Sequence, residues 1–233
     1  MISGKHPGEV MDVVAVSDEN DPTIGDEMSA PAVAAPSARE FGPDVTVPLP
    51  PEGGFTAEDL DRIPDLPPHT ELIDGSLVLV SPRKRFHMRM IRLLELQMLD
   101  QVPDDLIVER EMSVVLGKRQ RPEPDLMLVD TEDPDDLEAT WVAPEDVKLA
   151  VEVISPESRP RDLERKPQLY AEAGIPHFWL VDRVDGDAVV HVYELDPVRK
   201  EYVSTGVHRG RLRTSAPCEL DLDLTGLSRK HGR

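Results

Sequence analysis

At 233 residues the chain has room for one ordinary domain plus a tail, and its single cysteine, Cys218, excludes an internal disulfide framework and a cysteine-based zinc site. With 46 acidic residues against 26 basic ones the net charge is -20, which disfavours strong nonspecific binding to nucleic acid while leaving room for a local basic patch. No run approaches the roughly 18 apolar residues of a membrane span, and the N-terminal MISGKHPGEVMDVV lacks the order of a secretory signal, so a cytoplasmic protein without a membrane partner is expected.

Residues 1–52 combine Ala, Pro, Ser and acidic residues, as in MSAPAVAAPSAREFGPD, with no sustained period of 2 or 3.6. So little apolar surface cannot offset the entropy of ordering the chain, and a disordered acidic tail is expected. Residues 1–68 alone hold 14 acidic side chains against 3 basic ones. The domain is expected over 53–216. In FTAEDLDRIPDLP, Thr56 with Asp59 resembles a capping box opening a short helix that stops before Pro64. In ELIDGSLVLVS, Asp74-Gly75 supplies the turn of a hairpin.

Ser81-Pro82 reads as N-cap and first residue of a helix running to about Leu99, with His87, Met90 or Ile91, Leu94 and Met98 on its apolar face. DLIVEREMSVVLG, PDLMLVD (124–130) and VKLAVEVIS (147–155) follow as strands. The last two are nearly continuous apolar runs, the pattern of central strands covered on both faces. A helix from about Arg161 to Ala173 ends at Gly174. Pro167 either kinks it or restarts it with the proline in its first turn. HFWLVDR and AVVHVYELD close the sheet, and the C-terminal stretch 217–233 is weakly patterned. The expected class is α/β, a mixed sheet with helices on its faces.

One residue conflicts with this pattern. Glu152 interrupts the apolar run LAVEVISP, and a buried carboxylate must be paired, protonated or bound to a metal. A second carboxylate, Asp125, starts the strand after Pro124. If the two strands are neighbours, Asp125 and Glu152 converge with their oxygens toward a hard cation such as magnesium. On the next helix Asp162, Lys166 and Tyr170 are spaced i, i+4, i+8 and share a face. A lysine beside two metal-binding carboxylates stabilises the anionic transition state of phosphodiester hydrolysis, or helps position and deprotonate the attacking water.

The ordered set ELIDG, SP before a helix carrying His87, PDLMLVD, and VEVISPESRPRDLERKPQLYAEAGIPHFWLVD resembles the Uma family of restriction endonucleases, within the PD-(D/E)XK nuclease superfamily. The resemblance covers about residues 55–205 and is strongest over 149–182. It implies a restriction-endonuclease-like core in which Asp125 and Glu152 are the acidic motif residues holding Mg²⁺ or Mn²⁺. It also implies Glu71 as a further acidic residue near the metal, with His87, Asp162 and Tyr170 lining or bracing the site. The superfamily lysine would stand two positions after the glutamate, where this chain has Ile154. In the Uma family it comes from the following helix, which maps to Lys166.

Basic residues flank these motifs, and Arg85, Arg89, Arg121 and Arg161 are the candidate phosphate contacts. Cations near a helix N-terminus oppose the helix dipole, so local folding does not account for them. Aromatic residues are only 4% of the chain, which argues against base stacking as the main binding mode. The expected function is metal-dependent endonucleolytic cleavage of DNA, with a two-fold dimer as the simplest way to cut both strands. The rival expectation is a noncatalytic interaction or regulatory module on a nuclease scaffold, which the acidic net charge favours.

Overall fold

The structure, a computed structural model, describes residues 38–40, 46–80, 82–130 and 136–228. Most of the tail expected to be disordered lies outside these residues. Within it, however, β1 (Ala38–Glu40) and β2 (Thr46–Pro48) pair as an antiparallel hairpin.

The short helix α1 (Asp59–Arg62) follows a turn closed by the Thr56 N–H and hydroxyl, which donate to Asp59 Oδ2 at 2.7 and 2.9 Å. The hairpin β3 (Glu71–Ile73) and β4 (Ser76–Val78) turns through Asp74 and Gly75, at φ 53° and 76°. Two consecutive positive φ values define the tight turn that Asp-Gly favours. The positive φ at Gly75 favours glycine, and an added Cβ there would displace the Arg119 guanidinium, which stands 2.5 Å away. A backbone bridge from Leu72 to Arg121 fastens the hairpin to the segment that leads into the central sheet.

Helix α2 (Arg85–Leu99) begins at Arg85 rather than Pro82, because Lys84 is extended at φ -71°, ψ 154°. The expected cap, Ser81, lies outside the described residues. Strands β5 (Ile107–Arg110) and β6 (Ser113–Val114) divide a stretch that reads as continuous in sequence, and Glu111, at φ 54°, turns the chain between them. Then come β7 (Leu126–Val129), β8 (Trp141–Val142) and β9 (Val147–Val153). A π-helical turn (Arg161–Arg165) runs into α3 (Lys166–Ala173). The chain ends with β10 (His177–Val184), β11 (Asp187–Asp196), β12 (Glu201–Arg209), β13 (Arg211–Thr214) and β14 (Leu220–Asp223).

The central sheet has six strands in the order β12-β11-β10-β9-β7-β5, and only β9 and β10 run parallel. This is the mixed sheet flanked by helices expected from the sequence. Alternation along β9 divides the core. Leu149, Val151 and Val153 meet Met90, Leu94 and Met98 of α2 on one face. Ala150 and Ile154 meet Tyr170 of α3 on the other. The C-terminal stretch that sequence leaves unplaced supplies Leu220, Leu222 and Leu224 to the α2 side of the core. None of the described helices is long and apolar enough to cross a membrane.

Leu222 is fully buried in that core. Leu222→Ala is expected to lower stability by about 2–5 kcal/mol in urea unfolding, as large-to-small changes in packed cores do. A loss of only a few tenths would mean that the C-terminal hairpin does not belong to the core.

Candidate active site

The register of the sheet brings the two motif carboxylates together. Leu126 of β7 faces Val151 of β9 in an antiparallel ladder, so one step beyond that pair places Asp125 beside Glu152. Residues directly opposite in such a ladder hold their Cβ atoms about 5 Å apart. Asp125 is buried at this sheet end. Its Oδ2 accepts the Val153 N–H at 2.7 Å and lies 3.0 Å from His87 Nε2, while Oδ1 pairs with the Arg83 guanidinium. Burial alone would raise the Asp125 pKa. The hydrogen bond from His87 and the charges of His87, Arg83 and Lys166 outweigh it and hold the carboxyl below its ordinary value.

Glu152 meets a different set of partners. Lys166 Nζ and the Tyr170 hydroxyl donate to its Oε1 at 2.9 and 2.6 Å. The same ammonium lies 2.6 Å from Glu71 Oε1, which also accepts the Glu123 N–H at 2.9 Å. It stands 3.9 Å from Asp162 Oδ1. Lys166 is thus buried among three carboxylates. Burial would lower its pKa, but Glu152, Glu71, Asp162 and Asp125 together push it well above the ordinary lysine value. Burial drives Glu152 upward, and the nearby Asp162, Asp125 and Glu71 charges add to the rise against the opposing pull of Lys166.

The helix that delivers this lysine has unusual geometry. The Lys166 N–H bonds to the Arg161 carbonyl, five residues back, so the turn before it is one residue wider than an α-helical turn. Pro167 then falls in the first turn of α3, where a missing N–H costs no helical hydrogen bond. Asp162, Lys166 and Tyr170 all end up buried around Glu152. Asp162 Oδ2 accepts the Ser158 hydroxyl, and its Oδ1 is buried without a hydrogen bond. Burial raises the Asp162 pKa to about 6.

A cleft of about 150 Å³ opens onto Asp125, Glu152, Glu71 and Asp162, with Arg83, Lys84 and Arg161 among its walls. These donors are hard carboxylate oxygens, the class that Mg²⁺ and Mn²⁺ prefer. Four carboxylates face two buried or half-buried cations, Lys166 and Arg83, and one oxygen lacks a hydrogen bond. By donor chemistry and charge, the residues fit a hard divalent cation. Among the described residues, no group of three or more His, Cys, Asp or Glu side chains already stands in metal-holding geometry. The carboxylates turn to Lys166 and Arg83 instead.

The candidate phosphate contacts separate. Arg85 and Arg89 are exposed on α2, and Arg161 lies at the cleft, 3.2 Å from Glu157. Arg121 is a correction. It is 4% exposed and donates to the Ala57 carbonyl, Asp61 and the Thr140 carbonyl, so its guanidinium is enclosed by its own chain. The pairing of Arg83 with Asp125 was not singled out from sequence, nor were Ser158 or Glu123, which receives a 2.6 Å contact from His69. The residues were in view in SPRKR, SPES and RPEPD, but nothing in their spacing distinguishes them from their neighbours.

The raised Asp162 pKa sets a pH dependence. The folded chain binds this proton more tightly than the unfolded chain, so the stabilisation is complete below 3.8 and is lost as pH rises through about 6. At about 1.4 kcal/mol per pH unit, that contribution is roughly 3 kcal/mol. Asp162→Asn cannot ionise, so its stability relative to the parent is expected to rise across this window in urea unfolding at successive pH values. Parallel pH profiles would show that Asp162 ionises as freely folded as unfolded.

The model of the Uma2 family, described as "Putative restriction endonuclease", matches residues 57–226. No curated protein matches the chain. Among solved structures, a putative nuclease belonging to DUF820 from Anabaena variabilis ATCC 29413 is similar, with 15% identity over 66% of this chain and 83% of that chain and a TM-score of 0.48. The family match takes in Glu71, Asp125, Glu152 and Lys166 and most of the folded residues, and the chain therefore belongs to the Uma2 family of putative restriction endonucleases.

Proposed function

We propose that the protein is a Mg²⁺- or Mn²⁺-dependent endonuclease that hydrolyses DNA phosphodiester bonds in the cleft at the end of β7 and β9. The observation that carries this reading is the adjacency of Asp125 and Glu152 across the ladder, with the Lys166 ammonium 2.9 Å from Glu152. Asp125 and Glu152, with Glu71 beside them, are the residues that would hold the cation. When bound, such an ion polarises the phosphate and lowers the pKa of the attacking water.

The protein's own groups have separable roles. Tyr170 and the Glu123 N–H fix the orientation of Glu152 and Glu71. The Val153 N–H and His87 do the same for Asp125. Lys166 stays protonated, because carboxylates surround it. It therefore serves as a fixed positive charge against the negative charge developing on the phosphoryl oxygens rather than as the base that deprotonates water. Arg83, Lys84 and Arg161 sit where they can receive phosphate oxygens at the cleft. Holding a divalent cation requires Lys166 and Arg83 to yield part of their hold on the carboxylates. Cleavage of both strands suits a two-fold dimer.

A second reading has its own support. The ion pairs already balance much of the charge at the site, as they would in a noncatalytic interaction module that keeps the scaffold and has no use for a metal. Purified protein incubated with supercoiled plasmid, with and without Mg²⁺ or Mn²⁺, separates the two. Metal-dependent nicking is expected, with Asp125→Asn and Lys166→Ala each slowing it by about 100-fold or more. Equal cleavage by parent and variants would overturn the site assignment. Absence of cleavage on any nucleic acid, together with no Mg²⁺- or Mn²⁺-induced rise in Tm, would favour the interaction module.

A further inference from the structure

A second hollow, about 480 Å³, lies on the other side of the first turns of α2 from the cleft. Arg83, Lys84 and His87 line the cleft, whereas Arg85, Phe86 and Arg89 line this hollow. Its far wall carries Arg183, near the end of β10, and Arg209, at the end of β12. Asp187 is the one acidic residue in the lining. Four guanidiniums against one carboxylate make a strongly positive patch on a chain whose net charge is -20.

Several arginines elsewhere in the sheet and its connections are already paired with carboxylates. Arg121, Arg159, Arg165 and Arg211 are each held by a carboxylate within 4 Å. Among the described residues, none of Arg85, Arg89, Arg183 and Arg209 forms such a pair, although acidic side chains outnumber basic ones in the chain. Two of the four are held in place by other means. The Arg183 guanidinium lies 5.5 Å from the centre of the Phe86 ring, and Arg89 Nη1 donates to the Leu227 carbonyl at 3.4 Å. All four are exposed. A spread of exposed guanidiniums with no buried polar anchor suits an extended chain of phosphates better than one small anion.

We propose that this hollow is the track for the phosphate backbone of the DNA substrate on one side of the bond being cut, with Arg183 and Arg209 as contacts opposite Arg85 and Arg89. The proposal rests on the nuclease reading and adds to it where the substrate lies. A backbone leaving the cleft across the start of α2 enters the hollow directly, because the two share that helix. The β10–β11 turn and the C-terminal end of β9 lie at the same end of the sheet, since β9 and β10 run parallel.

The test measures binding and cutting separately on the full chain. Binding of a labelled DNA duplex is followed by fluorescence anisotropy in EDTA at several salt concentrations, and plasmid nicking is followed in Mg²⁺ or Mn²⁺. The double variant Arg183→Glu/Arg209→Glu changes two exposed residues, and Arg199→Glu/Lys200→Glu makes the same change of charge in the exposed β11–β12 turn at the other end of the sheet. Equal Tm values verify that both fold. The groove variant is expected to bind at least about tenfold more weakly, with the slope of log K against log salt reduced by about 2, while the control keeps the parent slope. If both variants bind like the parent, or weaken equally, the hollow is not the track, and metal-dependent nicking by the parent would leave the nuclease reading standing. If the parent neither binds nor nicks nucleic acid, the nuclease reading fails and the track with it.

Discussion

The ammonium of Lys166, enclosed by Glu71, Glu152 and Asp162, joins the β3 hairpin, the central sheet and the helix that follows it. Glu71 comes from the β3 hairpin, Glu152 from the central strand β9, Asp162 from the π turn and the lysine from the start of α3. Burying any one of these charges without an opposite partner would cost several kcal/mol, so the carboxylates depend on the lysine and the lysine on them. Removing the lysine would leave three carboxylates in a dry space, and loss of one partner from such a cluster typically costs about 3–5 kcal/mol. The cluster therefore sets where the hairpin can sit. Arg165 adds a second tie on the exposed side, with Nε donating to Asp74 Oδ2 at 2.8 Å at the hairpin tip.

The same requirement accounts for the widened turn before α3. A regular helix entering at Pro167 would need an N–H from that residue, which proline lacks. Making the preceding turn one residue wider lets the chain pass the proline without an orphaned bond and still turns Asp162, Lys166 and Tyr170 toward Glu152. On the proposed reading, the lysine that the wider nuclease pattern places on the strand, at the position of Ile154, is thus supplied from a helix. Ile154 is free to pack in the apolar layer with Tyr170 and Phe178. The site keeps its charge and moves the source of one cation.

Much of this was legible in the sequence because it depends on strong local signals. Two continuous apolar runs mark the adjacent central strands β7 and β9, Asp-Gly marks the hairpin turn, and i, i+4, i+8 spacing puts Asp162, Lys166 and Tyr170 on one face. What was hidden depends on long-range closure. β12 reads EYVSTGVHR, polar and interrupted by Gly206, because it is an edge strand with little to bury. Leu220, Leu222 and Leu224 alternate clearly, but the stretch is short and its partner, β13, is equally weak in sequence. Arg121 illustrates the opposite error. Its neighbours Lys118 and Arg119 made it look like part of a basic surface, and only the fold shows Ala57, Asp61 and Thr140 closing around it.

An acidic protein that acts on a polyanion must separate its charges in space. Here the sheet end holding the carboxylate cluster also carries, across the first turns of α2, the arginines that form no ion pair among the described residues. Surface charges more than about 10 Å apart are largely screened at moderate salt, so an acidic net charge weakens long-range attraction without cancelling a local patch. Within the cleft the balance is reversed. Its carboxylates outnumber Lys166 and Arg83, and the raised pKa values of Glu152 and Asp162 reflect burial reinforced by that surplus. On the proposed reading, Arg83, Lys84 and Arg161 receive the phosphate at the cleft wall, and a divalent cation arriving with it would relieve the carboxylate surplus that burial makes costly. On the same reading, arginines hold the substrate beside the site, and the excess of buried carboxylates makes its entry depend on a metal.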